Sequence, residues 1–365
     1  MIAIGIMSGT SMDGLDLILS KINIDKNYKL SFNIIRSQTY PYTGKDKKII
    51  YDAVYKNNIS YDFLDNYLGK ILNNTVFEFL KGDKVDIICS HGQTISHKNK
   101  HYSIQLGNPK ILHRNFNVPI LYNFRTNDIA FGGNGAPLVP FLDWLLFKNH
   151  NIRTIGLNIG GISNLSIINP LSKLKDVIGF DTGPGMCIID KYVKKYWNIK
   201  YDIDGKLASK GIISKELLNY LIKTDSFINK SFPKSLSTEH YGEKFLNSTI
   251  DKFNKINKYN FLRTLVNFTA ISIAKNIVMT FKKNQCEAYQ IVVSGGGSKN
   301  KMIIVDINRE LGMKVEFLNI NGLNIDNKEA FLIALLGVST YLGIANNSIT
   351  VTGCSKELIC GLIYE

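Results

Sequence analysis

Little in this chain marks it for export, for a membrane or for a metal cage. Its five cysteines, Cys89, Cys187, Cys286, Cys354 and Cys360, are odd in number and far apart. No Cys-x-x-Cys pair or Cys/His cluster occurs, so neither zinc nor a redox dithiol is expected. The thiols read as free groups in a reducing compartment. The N-terminus lacks a basic segment followed by an apolar core and a small-residue cleavage site, so no signal peptide is expected. A long hydrophobic run is missing too. The main uncharged stretch, residues 330–349, is broken by Gly337, Gly343, Asn346 and Asn347. It falls short of the roughly 20 apolar residues of a membrane span and reads as a buried helix. A cytoplasmic protein with no membrane partner is expected.

Acidic residues are in deficit: 30 Asp and Glu face 44 Lys and Arg, giving a formal charge of +14. The lysines are scattered among abundant Asn and Ile, and no dense basic run interleaves with aromatics. That pattern argues against a nucleic-acid footprint and fits a biased genome composition, while leaving room for an anionic small substrate. With 365 residues, 45% of them hydrophobic and 20% charged, the chain is an ordinary globular protein too long for one core. Two domains are the natural expectation.

What is present is a twice-repeated grammar. Strand-like runs lie near 2–7, 14–22 and 29–38, then helical patterns at 45–56 and 61–80. Strands follow at 85–89 and 118–122, and a glycine-rich loop at 131–137 leads into a helical run at 138–147. The second half restarts with strands at 154–158, 165–168 and 177–180, helices at 213–222, 244–256 and 261–283, and a strand at 290–293. A helix is expected near Lys299 and a last one at 327–343, packing back toward the first half. The pattern predicts an α/β protein built of two like domains, with mixed sheets flanked by helices and an inter-domain cleft as the default ligand site. The expected division is 1–140 and 141–339, with about 340–365 returning to the first domain.

Polar turns follow several strands. Gly9-Thr10-Ser11-Met12-Asp13-Gly14-Leu15-Asp16 sets glycines, hydroxyls and carboxylates between two strands. Such a turn offers amides and hydroxyls to phosphate oxygens, and Asp13 is placed to reach a phosphate-bound metal. An ordinary hairpin needs only Asp-Gly, so that reading stays open. Gly160-Gly161 and Asp181-Thr182-Gly183-Pro184-Gly185 form a second pair of turns, and Ser294-Gly295-Gly296-Gly297 opens toward Asn300 and a helix whose N-terminal amides suit a nucleotide. A plain strand-to-helix turn is the other reading of the last.

Asp181 ends an apolar run in a glycine-flanked turn, the setting of a general base, or else of a cap for a helix starting near Gly185. His91, in the polar loop Ser90-His91-Gly92-Gln93-Thr94, either binds a sugar or satisfies a buried carbonyl. Arg125 either holds a substrate carboxylate through a bidentate contact or pairs with Asp128. Glu329 opens a strongly apolar helix, serving its N-terminus or a substrate hydroxyl.

Together these residues resemble the 1,6-anhydro-N-acetylmuramic acid kinase family, within the actin–hexokinase–chaperone ATPase superfamily. The likeness runs from residues 7–16 through 90–94, Gln105–Gly107, 132–140, 158–164, 180–185, Pro233-Lys234-Ser235 and 295–300 to Glu329-Ala330. It implies ATP-dependent opening of the anhydro bridge with phosphorylation of O6, giving N-acetylmuramic acid 6-phosphate for cell-wall recycling. By the resemblance, Gly9–Asp16, Gly160, Gly161, Gly295, Gly296, Gly297 and Asn300 bind ATP, and Asp181 is the catalytic base. His91, Arg125 and Glu329 hold the sugar, Mg²⁺ enters with the ATP phosphates, and the chain is a homodimer. Departures from the family pattern are Asn123 for Asp, Met186 for Asn, Asn99 for Pro, and Leu236-Ser237-Thr238-Glu239 where an arginine is usual. The competing readings are a sugar or nucleotide sensor that has lost turnover and a kinase of another amino sugar.

Overall fold

The computed structural model describes residues 1–9, 12–56, 58–236, 240–281 and 288–365. In chain order the first elements are β1 (Ile2–Ser8), β2 (Gly14–Ile24), β3 (Leu30–Pro41), α1 (Gly44–Tyr51) and α2 (Tyr61–Leu80). Then come β4 (Ile87–Lys98), β5 (Tyr102–Leu106), α3 (Pro109–Phe116), β6 (Ile120–Tyr122), α4 (Thr126–Ala130) and α5 (Val139–Phe147). The middle of the chain forms β7 (Arg153–Ile159), β8 (Ile162–Ile168), β9 (Ile178–Pro184), α6 (Cys187–Trp197), α7 (Lys215–Thr224), α8 (Glu243–Lys252) and α9 (Lys258–Val278). It continues with β10 (Tyr289–Ser294), α10 (Lys301–Leu311) and β11 (Glu316–Phe317). The last elements are β12 (Asn319–Ile320), β13 (Leu323–Asn324), α11 (Lys328–Tyr341), α12 (Ile349–Thr352) and β14 (Leu362–Tyr364).

Two compact units result. The first comprises Met1–Lys148, Lys173–Val177 and Asn319–Glu365, the second Asn149–Ser172 and Ile178–Leu318. The division therefore runs at 148 and 319 rather than at 140 and 340. The reason lies in α5 and α11. The buried face of α5 carries Asp143, which meets Lys328 of α11 at 2.7 Å, and α11 packs on β1, β2 and β4.

The first sheet has the order β14-β6-β4-β1-β2-β3, with β5 attached to β4. Strands β1 to β3 form an antiparallel meander, and β4 and β6 continue parallel to β1, with Gly5 opposite Cys89 and Cys89 opposite Leu121. The second sheet repeats this plan as β11-β10-β7-β8-β9: a three-strand meander, then β10 and β11 parallel to β7. The same five-strand order twice in one chain is a duplicated α/β plan.

Both faces of the first sheet are covered, which is why β1 is apolar on nearly every residue rather than alternating. On one face Ile4, Ile6, Leu15, Leu17 and Leu19 join Leu64, Leu68, Leu72 and Val76 of α2 in one core. On the other lies α11, and its approach depends on Gly5: a Cβ there would run into the Ala330 carbonyl oxygen and the Ala334 backbone. That contact fixes the start of α11, and with it Glu329, against the first strand. In the second unit Ile155, Leu157, Ile159, Leu165 and Phe180 pack on α6, α9 and α10.

Two expectations need correction. Ser90–Thr94 is not a loop but the middle of β4, where pairing with β1 and then β5 buries its polar side chains. Asp181–Pro184 likewise continues β9 instead of turning, with Asp181 opposite Asn164 beside an irregularity at Ser163. Among the described residues no helix is long and apolar enough to cross a membrane, and residues 330–349 are α11 and its exit. The four described cysteines are free, and Cys286 lies outside the described residues.

Candidate active site

In the first unit, β4 and the segment after β6 bring His91 and Arg125 together. His91 is almost fully buried; its Nδ1 faces the Gly92 carbonyl at 2.9 Å and so carries the proton. Nε2 is then the acceptor for the Arg125 Nε–H at 3.1 Å. Burial and the adjacent guanidinium push the imidazolium pKa down to about 3, so His91 is neutral at any working pH. One ring nitrogen thus satisfies a buried carbonyl, as one reading of the sequence had it, and the other orients an arginine.

Arg125 spends a second donor on the Gly135 carbonyl at 2.7 Å. Burial lowers its pKa to about 10, and Glu329 and Asp128 oppose that shift. Asp128 itself is buried and accepts from the Gly135 amide, the Asn347 amide group and the Thr352 hydroxyl. Its carboxylate therefore shapes the 128–135 loop that carries Arg125's carbonyl partner. Glu329 is exposed on the first turn of α11, yet neighbouring protein crowds its carboxyl. That desolvation and the like charge of Asp16 raise its pKa, while Lys328 and Arg125 pull it back. Three residues chosen from distant sequence positions are thus one electrostatic group within this unit.

The β1–β2 turn lies in the same unit. Gly9 accepts from the Met12 amide at 3.2 Å and from the Gln93 side-chain amide at 3.2 Å. Gln93 also accepts from the Ser8 hydroxyl at 2.5 Å, and Ser8 reaches the Tyr42 hydroxyl at 3.0 Å. Met12 holds a left-handed φ of 54°. Asp16 accepts from the Thr39 hydroxyl at 2.5 Å. Gly14 opens β2, and Leu15 follows it as a core residue opposite Tyr40 of β3. Thr10 and Ser11 lie outside the described residues.

In the second unit the glycine turns converge. Gly185, Met186 and Cys187 donate their amides to Gly161, Gly160 and Gly161 at 3.0, 2.8 and 3.1 Å. A Cβ on Gly185 would strike the Gly160 carbonyl oxygen, so only glycine permits this approach. Gly295 and Gly297 lie against Asn158, Ile159 and Met186, and a short 3₁₀ turn from Gly296 leads to Asn300. Asn300 caps α10 through Oδ1 to the Met302 and Ile303 amides, and its buried Nδ2 has no hydrogen-bond partner.

Asp181 is half-buried midway along β9, just before the buried Thr182–Pro184. Its own amide donates to the Lys234 carbonyl at 3.0 Å, and its Oδ2 accepts from the Leu236 amide at 2.7 Å. Burial raises the carboxyl pKa to about 6, held there by the Leu236 amide, the Ser235 hydroxyl and Lys234. Asp181 is not the cap of α6; that position is Met186.

The sequence reading missed the supports. Polar residues on the central helix α9 brace this strand end: Thr269 donates to the Gly185 carbonyl, and Ser272 and Asn276 to that of Thr182. Their signal is three polar side chains at helical spacing, Thr269, Ser272 and Asn276, along a long buried helix. The departures from the family pattern fit their places. Asn123 adopts a φ of 55° that asparagine tolerates, and its Oδ1 accepts from Thr126 at 2.6 Å. Asn99 bonds His97 at 2.9 Å, and Met186 packs beneath Gly297. Residues 237–239 lie outside the described residues. Among the described residues no group of three metal-ligating side chains occurs.

The family profile described as anhydro-N-acetylmuramic acid kinase matches residues 1–365. A relative of that name from Clostridioides difficile (strain 630) is 34% identical over 384 residues, covering 100% of this chain and 98% of its own. Another from Bacillus thuringiensis subsp. konkukian (strain 97-27) is 33% identical over 384 residues, covering 100% of this chain and 99% of its own. Solved structures are more distant: an activator of 2-hydroxyisocaproyl-CoA dehydratase from Clostridium difficile overlaps with a TM-score of 0.41. Its identity is 12%, over 95% of this chain and 100% of its own.

Proposed function

Because the chain belongs to the anhydro-N-acetylmuramic acid kinase family, we propose that Asp181 is the base of a ring-opening phosphoryl transfer. The protein is a phosphotransferase acting on 1,6-anhydro-N-acetylmuramic acid. Asp181 takes a proton from a water whose oxygen attacks C1. The C1–O6 bond breaks, its electron pair stays on O6, and O6 attacks the γ-phosphorus of ATP. The bond from that phosphorus to the β–γ bridging oxygen breaks, releasing ADP and N-acetylmuramic acid 6-phosphate. The observation that carries this reading is the Asp181 carboxylate itself. With a pKa of about 6 it is ionised at neutral pH, yet basic enough to accept a proton as the transition state forms.

Arg125 and Glu329 hold the sugar on this reading, the first by its charge and the second through a hydroxyl. His91 serves the sugar through Arg125, whose Nε it accepts from. Gly9–Asp16, Gly160, Gly161 and Gly295–Gly297 take ATP, and the unpartnered Asn300 Nδ2 is a donor in reserve for it. The donor set fits Mg²⁺, which keeps water and phosphate ligands and needs few protein carboxylates; Asp13 would be the one in reach. When bound, Mg²⁺ neutralises charge on the transferring phosphates. A cytoplasmic homodimer completes the proposal, on the strength of the family resemblance.

The test is ADP release with Mg²⁺, ATP and 1,6-anhydro-N-acetylmuramic acid, with mass spectrometry of the sugar and an Asp181→Asn control. Sugar-dependent turnover to the ring-opened 6-phosphate, lost in the variant, is the expected result. Full turnover in Asp181→Asn would remove Asp181 from the role.

A further inference from the structure

The segment 225–236 is tied down at both ends, and Asp181 sits at the second tie. Asp225 is buried; its Oδ1 accepts from the Phe227 and Ile228 amides at 2.8 and 3.2 Å, and its Oδ2 from the Tyr241 hydroxyl at 2.7 Å. The Lys234 ammonium closes the turn from the other side. Its Nζ donates to the Phe227 and Ile228 carbonyls at 3.1 and 3.4 Å and lies 4.7 Å from the centre of the Phe227 ring. Asn276 of α9 donates to the same Ile228 carbonyl and to that of Thr182. Farther along, the Phe232 ring stacks on Phe180 with centroids 4.8 Å apart. The Lys234 carbonyl then takes the Asp181 amide, and the next two residues supply donors to its carboxylate.

Lys234 is the residue common to both ties. We propose that Lys234 is a positioning residue for the reaction: by pinning segment 225–236 it aims the Leu236 amide and the Ser235 hydroxyl at the Asp181 carboxylate and keeps that carboxylate ionised. The inference rests on Asp181 being the base. It matters because burial drives the carboxyl upward, toward protonation at working pH, and only the donors of this segment and the lysine charge oppose it. Burial also lowers Lys234 to about 8, with Asp225 and Asp181 supporting its charge and Lys230 and Lys275 opposing it. Between about 6 and 8 the pair is therefore ionised together. Lys275 is engaged with Asn229 and Asn164 lies opposite Asp181 on β8, which leaves Lys234 as the cation that acts on the carboxylate.

The experiment compares the full-length protein with its Lys234→Met, Lys234→Arg and Ser235→Ala variants. Two readouts are taken: ¹³C NMR titration of the Asp181 carboxyl, assigned with Asp181→Asn, and the acid limb of kcat/KM for the anhydro sugar. Lys234→Met is expected to move both upward by about one pH unit. Ser235→Ala should move them less, and Lys234→Arg, which keeps the charge, should fall between Lys234→Met and the parent. The KM for ATP should stay within about twofold, since a general loss of structure would not single out one carboxyl. A folded Lys234→Met whose Asp181 carboxyl titrates as in the parent overturns the proposal. Where Lys234→Met does not fold, unmoved carboxyls in Ser235→Ala and Lys234→Arg overturn it instead. Should the carboxyl move while the rate limb stays, the hold of Lys234 on Asp181 stands and the assignment of Asp181 as base is what fails.

Discussion

The two units share a strand plan but surround opposite charges. In the first, the centre is a buried cation: Arg125 donates to a neutral imidazole and a backbone carbonyl, with Glu329 and Asp128 as nearby anions. In the second it is anionic: Asp181 accepts from a backbone amide and a hydroxyl, with Lys234 as the nearby cation. Each charge is satisfied mostly by uncharged partners, which avoids the large desolvation cost of a fully buried ion pair. Arg125 keeps field to offer an anionic substrate, and Asp181 keeps basicity to accept a proton.

Removing the anionic centre should have the largest effect. Asp181→Asn is expected to lower kcat by roughly 10²–10⁴-fold, the range of general-base catalysis, with ATP binding retained. Initial-rate assays decide it, and a variant within about tenfold of the parent would mean the base lies elsewhere. Removing the cationic centre comes next. Arg125→Met strips His91 Nε2 and the Gly135 carbonyl of their donor, and kcat/KM for the sugar should fall on the order of 10–100-fold. The KM for ATP should hardly change; a rise in it equal to that for the sugar would break the division of labour.

The turn comparison gives a smaller effect. The β1–β2 turn is braced by the Gln93 side chain, whereas the β7–β8 turn is braced by backbone through Gly185. Gly185→Ala should therefore destabilise by about 1–3 kcal/mol and raise the KM for ATP, as read by thermal unfolding and kinetics. An unchanged melting temperature would show that the turn yields cheaply. The smallest effect concerns His91. Its folded pKa of about 3 lies below its unfolded value of 6.5, so the unfolded chain takes up the proton first as pH falls. Its contribution to stability is complete above about 6.5 and is lost progressively toward 3. His91→Gln should flatten the acid side of the stability profile in urea titrations, and a profile of the parent's slope would contradict a buried neutral imidazole.

Local pattern was enough for the repeated meanders, because apolar runs and alternation are written into adjacent residues. It was enough, too, to single out the glycine turns, whose close backbone approaches only glycine permits. It failed where burial depends on partners distant in sequence. Ser90–Thr94 looks like a loop because it is polar, but it is strand because β1 and β5 flank it. Asp181–Pro184 looks like a turn because it is rich in glycine and proline, yet β8 and the carbonyl-binding stripe of α9 hold it extended. Helix α6 is legible only as a start near Gly185, although Ile188, Ile189, Tyr192 and Val193 form an apolar stripe at helical spacing. The tie of Lys234 to the Phe227 and Ile228 carbonyls has no sequence signature, since a lysine bound to backbone looks like any surface lysine.

The seating of α11 on Gly5 also sets a schedule for biosynthesis. Residues 149–172 and 178–318 contain every strand of the second sheet, so that unit can close as soon as β11 has left the ribosome. The first sheet is made earlier but stays uncovered on the face that meets α11 until residues beyond 328 are translated. The opening strand must therefore wait, apolar and half-protected, for a helix encoded near the far end of the message. Proteolysis of nascent chains stalled after β11 should find the later-made unit resistant and the earlier-made one still open to cleavage.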